Sequence, residues 1–415
     1  MAGGNGPIDI ADRHETVRRA NVELVFRVIS EHAPVSRTEV IRLTGLSKPT
    51  VLTVVAAMVD EGLIRDAQRS DMAPRSVGRV ARAYEPNPTA AYVVGVDLGG
   101  TKNAVVLADL AGTVVAEVEA ATTRDGGAAV VAQIAELAKS LARHSGVAWS
   151  RIDAICVGTP GAVNPDGTIR LADNVPGLDT INVAGALRRL LRTSVHVEND
   201  VNLAALGELE AGVARNHRTF VLLSIGTGLG MGLVVDGNLV RGARGAAGEI
   251  AFLPLGADPA GEEARRRGAF ELAASGSGVQ ALLGLELEST GRTSRSSLHR
   301  LSTARDVFDA AGASDELAMR VVQSHAAIVA DAILAVAALI DPEIIVLGGG
   351  IGANPVLLTP VREAVQRITP WAVRIESSAL GPRAGVLGAV QHARRSLPQL
   401  ESARVSKRMR AGERS

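Results

Sequence analysis

Asp97-Leu98-Gly99-Gly100-Thr101-Lys102 stands between two apolar runs, where a strand would end in a tight turn. Glycines there let the backbone approach a phosphate closely, and Thr101 and nearby amides can donate to it. An aspartate at the end of the first strand can hold Mg²⁺, usually through water. Gly226-Thr227-Gly228-Leu229-Gly230 repeats the arrangement later in the chain, and Ile344-Ile345-Val346-Leu347 runs into Gly348-Gly349-Gly350. The candidate nucleotide-binding residues are therefore Asp97, Gly99, Gly100, Thr101, Lys102, Gly226, Thr227, Gly228 and Gly349.

Between these turns lies Glu198-Asn199-Asp200, after a strand at Val195–Val197 and before an Ala/Leu-rich helix. A carboxylate at a strand end beside a cleft can take a proton from a sugar hydroxyl, as general base in phosphoryl transfer. Asp200 is the candidate, although an aspartate here can equally cap the helix. Asn199 would hydrogen-bond a neighbouring hydroxyl. Gly161 and Asn174 would line the same mouth, and Glu249 and Glu271 would accept from further hydroxyls.

The elements that must position these residues show an internal repeat. Tyr92–Glu117 and Phe220–Gly242 each read as strand, Gly-rich turn, strand, short turn, strand, which implies two similar lobes facing across a cleft. At 415 residues the chain is long for one domain and suits two or three. Apolar residues reach 47% while aromatics are only 2%, so the cores must be Ala, Val, Leu and Ile, as α/β layers favour. Lys+Arg and Asp+Glu are both 44, which excludes a chain-wide polyelectrolyte. Cys156 is the one cysteine, so an intramolecular disulfide and any multi-cysteine metal site are excluded. No uninterrupted apolar run approaches the roughly 18–20 residues of a membrane span. The expectation is a cytoplasmic protein without membrane contact.

Ahead of the boundary at Pro86-Asn87-Pro88 lies a helical region, residues 16–87, after a polar arm at 1–15. Its first helix, near Val17–Ser30, carries Val22, Val25, Phe26 and Ile29 on one face. Ser36 with Glu39 forms a capping box, and Gly45 stops that second helix. Ser47 caps a third, with Pro49 tolerated in its first turn. Val51, Val54, Val55 and Met58 should face inward, leaving Lys48, Thr50 and Thr53 outward where a recognition helix reads base edges. Strands at Leu63–Ala67 and Ala81–Tyr84 would form a wing whose loop carries Arg69, Arg75 and Arg79. This is a winged helix-turn-helix pattern, with Ser47, Lys48, Thr50, Thr53, Arg75 and Arg79 as candidate DNA contacts. Residues 1–85 hold 12 Lys+Arg against 11 Asp+Glu, so any basic face arises by segregation of charge. Residues 396–415, rich in arginine, read as a disordered basic tail.

Taken together, these motifs over residues 17–395 resemble the ROK family (repressors, open reading frames, sugar kinases), and in particular its regulator branch. The resemblance implies a winged helix-turn-helix followed, over 90–395, by a two-lobed actin-like ATPase fold of the sugar-kinase type. It further implies a homodimer or homotetramer, an operator in double-stranded DNA, and a sugar or sugar phosphate as effector. The family pattern Glu-x-Gly-His, followed by a zinc-holding cysteine cluster, is broken here. Glu249-Ile250-Ala251-Phe252 puts Phe252 at the histidine position, and ADPAGEEARRRGAF replaces the cysteines. No zinc is expected, and Phe252 should favour an apolar or acylated sugar face. Two functions remain: a sugar-responsive regulator, or an ATP- and Mg²⁺-dependent sugar kinase with an accessory DNA-binding domain.

Overall fold

In the computed structural model the described residues are 10–67, 82–164, 167–170, 175–290 and 296–412. The N-terminal region comprises α1 (Ile10–His32), β1 (Val35–Ser36), α2 (Arg37–Thr44), α3 (Lys48–Asp60), β2 (Ile64–Asp66) and β3 (Ala83–Pro86). Local chemistry sets the helix ends. Ser36 Oγ accepts from Glu39 N at 3.3 Å while the Glu39 carboxylate accepts from Ser36 N at 3.0 Å, and Gly45 ends α2 at φ 68°. Ser47 caps α3. Val51, Val54, Val55 and Met58 are buried with Val22, Val25, Phe26 and Ile29 of α1.

The N-terminal region differs from expectation at two points. Residues 10–15 are not an arm but the first turns of α1, because no Gly or Pro interrupts Ile10 to Ala33. The hairpin strands are shorter or shifted, with Arg65 opposite Glu85, and β1 adds a third strand beside β3. Arg69, Arg75 and Arg79 lie outside the described residues.

The first lobe contains β4 (Tyr92–Leu98), β5 (Lys102–Asp109), β6 (Val114–Ala121), α4 (Gly127–His144), β7 (Ile152–Thr159), β8 (Ala162–Val163), β9 (Ile169–Arg170), α5 (Val183–Leu191), β10 (Ser194–Asn199) and α6 (Asp200–Ala211). The second contains β11 (Phe220–Ile225), β12 (Leu229–Val235), β13 (Asn238–Leu239), α7 (Glu262–Arg267), α8 (Ala269–Ala274), α9 (Gly276–Thr290), α10 (Ala304–Gly312), α11 (Glu316–Ile340), β14 (Ile344–Gly348), α12 (Gly349–Gly352), α13 (Pro355–Ile368) and β15 (Ile375–Ser377). The sheets are ordered β6-β5-β4-β7-β10 and β13-β12-β11-β14-β15. In each, the first three strands in sequence pair antiparallel and the last two add in parallel. The internal repeat is therefore one topology used twice. α11 is long and apolar enough by composition to cross a membrane, yet packs against α9, α10 and α13 with His325, Val329 and Ile333 buried.

The last helix, α14 (Ala384–Gly412), contradicts the disordered tail. Pro398, which cannot donate a backbone hydrogen bond, and the arginines around it argue for a helix end. Tertiary packing overrides both. Val386, Ala389, Val390, Ala393 and Leu397 form one buried stripe, and Val405 is buried two turns on. Val386 and Val390 lie against Gly95 of β4 and Gly388 lies against Leu203 of α6, while further along Ser402 Oγ donates to Glu23 of α1 at 3.1 Å; the helix also packs on β7 and α3. At 29 residues α14 is about 43 Å long and joins the first lobe to the N-terminal helices.

Candidate functional site

Five segments converge on one cleft of about 570 Å³. The end of β10 and start of α6 supply Asn199 and Asp200, the turn after β7 supplies Pro160 and Gly161, and the β11–β12 turn supplies Gly226, Thr227 and Gly228. The loop after β13 supplies Glu249 and Phe252, and α7 and α8 supply Arg266, Arg267 and Glu271. Asn199, rather than Asp200, caps α6: its Oδ1 accepts from Asn202 N at 3.0 Å and its Nδ2 donates to Gly161 O at 3.0 Å. The capping role and the carboxylate are thus on separate residues, and Asp200 is left facing the cleft as the first residue of the helix.

Burial pushes the Asp200 carboxyl up to about 7; the neighbouring Asp97 and Glu249 charges add to this, against a bond from Val201 N at 2.8 Å. A carboxylate titrating there suits proton abstraction near neutral pH. Asp97 is raised to about 6 by burial, with Lys102 opposing. Glu249 is raised as well, by burial and then by Glu271. Glu271 accepts from Leu229 N and Arg267 Nε, each at 3.1 Å.

Two further cavities adjoin the cleft. One, of about 150 Å³, holds Asp97 beside Asp200, Gly349 and Gly385. A buried carboxylate with an elevated pKa is short of compensating cation, which fits a hydrated Mg²⁺ carried by a nucleotide. The other, about 610 Å³, lies past Gly226 and Thr227 against Gln280, Arg305, Phe308 and Gly350. Gly99, Gly100 and Thr101 form the β4–β5 turn at the same strand end as Asp97, closed by Gly99 N donating to Lys102 O at 3.0 Å. Lys102 corrects its expectation: its Nζ pairs with Glu119 at 2.6 Å on β6. Asn174 lies outside the described residues.

Three contributors were missed. Buried Glu198 accepts from Asn199 N and Asn202 Nδ2, each at 3.0 Å, and pairs with Arg241. Since Arg241 follows β13 of the second sheet and Glu198 ends β10 of the first, this pair ties the lobes together at the cleft. Arg267 and Arg266 are the others, and Glu263-Arg267-Glu271 spacing at i, i+4 was the signal for Arg267. Phe252 is 42% exposed on the cleft wall. Residues 257–270 fold around α7 without Cys or His, and among the described residues no three metal-ligating side chains gather.

On α3 the exposed positions are Lys48, Pro49, Leu52, Thr53, Ala56, Val59 and Asp60. Ser47 and Thr50 hydroxyls meet each other at 2.8 Å in the cap, and Thr53 Oγ1 donates back to Pro49 O at 3.0 Å. The outward face is consequently more apolar than expected, with Leu52 and Ala56 on it.

Residues 93–396, which hold both sheets and the whole cleft, match the ROK family. The chain belongs to the ROK family. A xylose repressor of Bacillus spizizenii is 25% identical over 386 residues, covering 92% of this chain and 96% of its own. A glucokinase of Halalkalibacterium halodurans is 35% identical over 313 residues, covering 72% of this chain and 93% of its own. A solved structure described as a ROK family transcriptional regulator, homolog of E. coli MLC protein, has a TM-score of 0.79 at 22% identity, covering 94% of this chain and 99% of its own. That last likeness is one of fold, and it takes in the N-terminal helices as well as the ROK lobes.

Proposed function

We propose that this ROK protein is a sugar-responsive, DNA-binding transcriptional regulator of carbohydrate genes, a repressor, acting in the cytoplasm with its kinase-like cleft as sensor. The observation that carries this reading is α14. Its first turn lies beside Asp97, where a Cβ on Gly385 would be 3.1 Å from Asp97 Oδ2, and the same helix packs on α3. One helix therefore touches both the ligand cleft and the candidate recognition helix, as a sensor needs and an accessory domain does not.

In this reading α1–α3 and the β2–β3 hairpin act as a winged helix-turn-helix, and two chains in a dimer read two half-sites. Lys48 contacts phosphate or a guanine edge, while Leu52 and Ala56 favour thymine methyl groups. A sugar shifts the balance only by preferring one arrangement of the lobes. The test is fluorescence anisotropy with the protein's own upstream DNA at fixed salt. Lys48→Ala should weaken binding about tenfold, and one member of a panel of sugars and sugar phosphates should change the affinity. Specific binding indifferent to every member would refute the sensor role.

A kinase reading is favoured by one observation, the retained Asp97–Asp200 pair with Asp200 near 7. There Asp200 takes the hydroxyl proton, Asn199 orients the sugar, and Asp97 would hold the nucleotide's Mg²⁺, which supplies charge neutralisation. Coupled ATP turnover on the same panel decides it: a rate that disappears in Asp200→Asn establishes a kinase.

Phe252→His tests the sugar face. Restoring a donor should shift preference toward the unsubstituted hydroxyl sugar, read as a change in the ratio of Kd values between N-acetylglucosamine and glucose. An unchanged ratio would sink the role given to Phe252.

A further inference from the structure

The chain passes between the lobes twice, at residues 212–219 from α6 to β11 and at residues 378–383 from β15 to α14. One side chain holds both passages. Glu208, on the last turn of α6, is fully buried. Its Oε2 accepts from Val213 N at 2.9 Å, at the start of the first passage. Its Oε1 accepts from Ser378 Oγ and, at 3.3 Å, from Leu380 N in the second. The fit is close, since a Cβ on Gly212 would lie 1.8 Å from Glu208 Oε2. Ser378 also lines the small cavity that holds Asp97 and Asp200.

A second carboxylate ties the lobes at the other end of α6, where Glu198 pairs with Arg241. The ends of this 12-residue helix are about 18 Å apart. The two ties differ in what parting them costs. Withdrawing Val213, Ser378 and Leu380 strands the Glu208 carboxylate out of reach of water, which is strongly unfavourable. When Arg241 leaves Glu198, that carboxylate keeps Asn199 N and Asn202 Nδ2 from its own lobe. The freed guanidinium, on a side chain 47% exposed, is taken up by water. Between the ties, β12 of the second lobe lies on α6 at two glycines. A Cβ on Gly230 would be 2.9 Å from Val201 Cγ2, and one on Gly232 would be 2.7 Å from Ala205 Cβ. Neither position carries a side chain that interlocks with α6, so the strand can turn over the helix.

We propose that the lobes turn about Glu208, a positioning residue at the pivot, and that the Glu198–Arg241 pair is the latch that opens and closes at the cleft. The proposal deepens the sensor reading, on which only its link to DNA rests. The second passage ends where α14 begins, so a turn at the pivot is delivered to the root of the helix that packs on α3.

The experiment is single-molecule energy transfer in the full chain, without ligand or DNA. Dyes sit on Glu136→Cys of α4 and Leu339→Cys of α11, both exposed, while Cys156 is buried and does not label. Arg241→Gln should raise the ratio of open to latched molecules about tenfold, the worth of one charge-assisted bond. Glu208→Ala should instead widen the distribution of distances without displacing its maximum. Glu208→Gln, which keeps one acceptor oxygen, should recover part of the parent's narrow distribution. Ser378→Ala leaves Glu208 its two backbone donors and should widen the distribution less, which keeps the pivot testable should Glu208→Ala fail to fold. An unchanged distribution in Arg241→Gln overturns the latch, and a displaced maximum in Ser378→Ala overturns the pivot. If either occurs while operator affinity still answers to a sugar, the sensor reading stands without this mechanism. Lobes that behave as expected, in a chain whose operator affinity ignores every sugar, would sink the sensor reading alone.

Discussion

Exchanging Asp200 for asparagine should stabilise the protein at pH 8 by about 2–4 kcal/mol and leave it unchanged near pH 4. The Asp200 carboxyl titrates near 7 in the folded chain against an ordinary 3.8, because burial and the Asp97 charge disfavour its ionised form. The folded state therefore holds this proton more tightly than the unfolded chain does. The sign follows from linkage: the stability tied to the proton is complete below about pH 4 and is lost as pH rises through about 7. An amide never ionises, so it escapes that loss. Thermal unfolding at pH 4 and pH 8 reads the difference, and a gap independent of pH would show that Asp200 is not strained by burial. Asp97 shares the penalty, so Asp97→Asn with Asp200→Asn should gain less than the sum of the two. The same substitution should weaken sugar binding by about tenfold or more, since it removes a charged acceptor. Stability rising while binding falls is the pattern expected of a functional carboxylate retained against a folding cost.

What was legible in the sequence was mostly local. The Ser36–Glu39 box, the Ser47 cap with Pro49 behind it, and the inward valines of α3 are decided within a few residues, and the helices follow them. The repeat of Tyr92–Glu117 in Phe220–Gly242 was legible because strand and turn chemistry repeats, and it became two sheets of one topology. Gly161, Asn199, Asp200, Glu249 and Glu271 were recognisable by residue type, and the fold collects them in one cavity. What escaped depends on distant partners. Leu397 and Val405 are buried in one cluster with residues of α1 and α3, from the other end of the chain. Within a run of arginines interrupted by Pro398, two apolar residues carry little signal. Glu198 meets Arg241 only after both sheets have formed, and Lys102 turns from its glycine turn only because β6 presents Glu119.

Gly388→Ala should cost about 3 kcal/mol or more of stability and should uncouple the cleft from DNA. α14 crosses α6 at two glycines. A Cβ on Gly388 would lie 1.7 Å from Leu203 O, and one on Gly207 would lie 2.4 Å from Ala384 O. Both obstacles are backbone, so no rotamer change relieves them and the helices must separate. Alanine's better helix propensity returns only about 1 kcal/mol. The crossing matters because α6 begins at Asp200 and α14 packs on α3, so in the proposed sensor a shift at the cleft would pass through it. Urea unfolding should report the lost stability. Anisotropy should report operator binding that persists but no longer answers to the ligand. A variant within about 1 kcal/mol of the parent would mean that the two helices yield easily at this point. A destabilised variant whose operator affinity still answered to ligand would mean that the signal travels by another route, of which the Glu198–Arg241 tie between the lobes is the next to break.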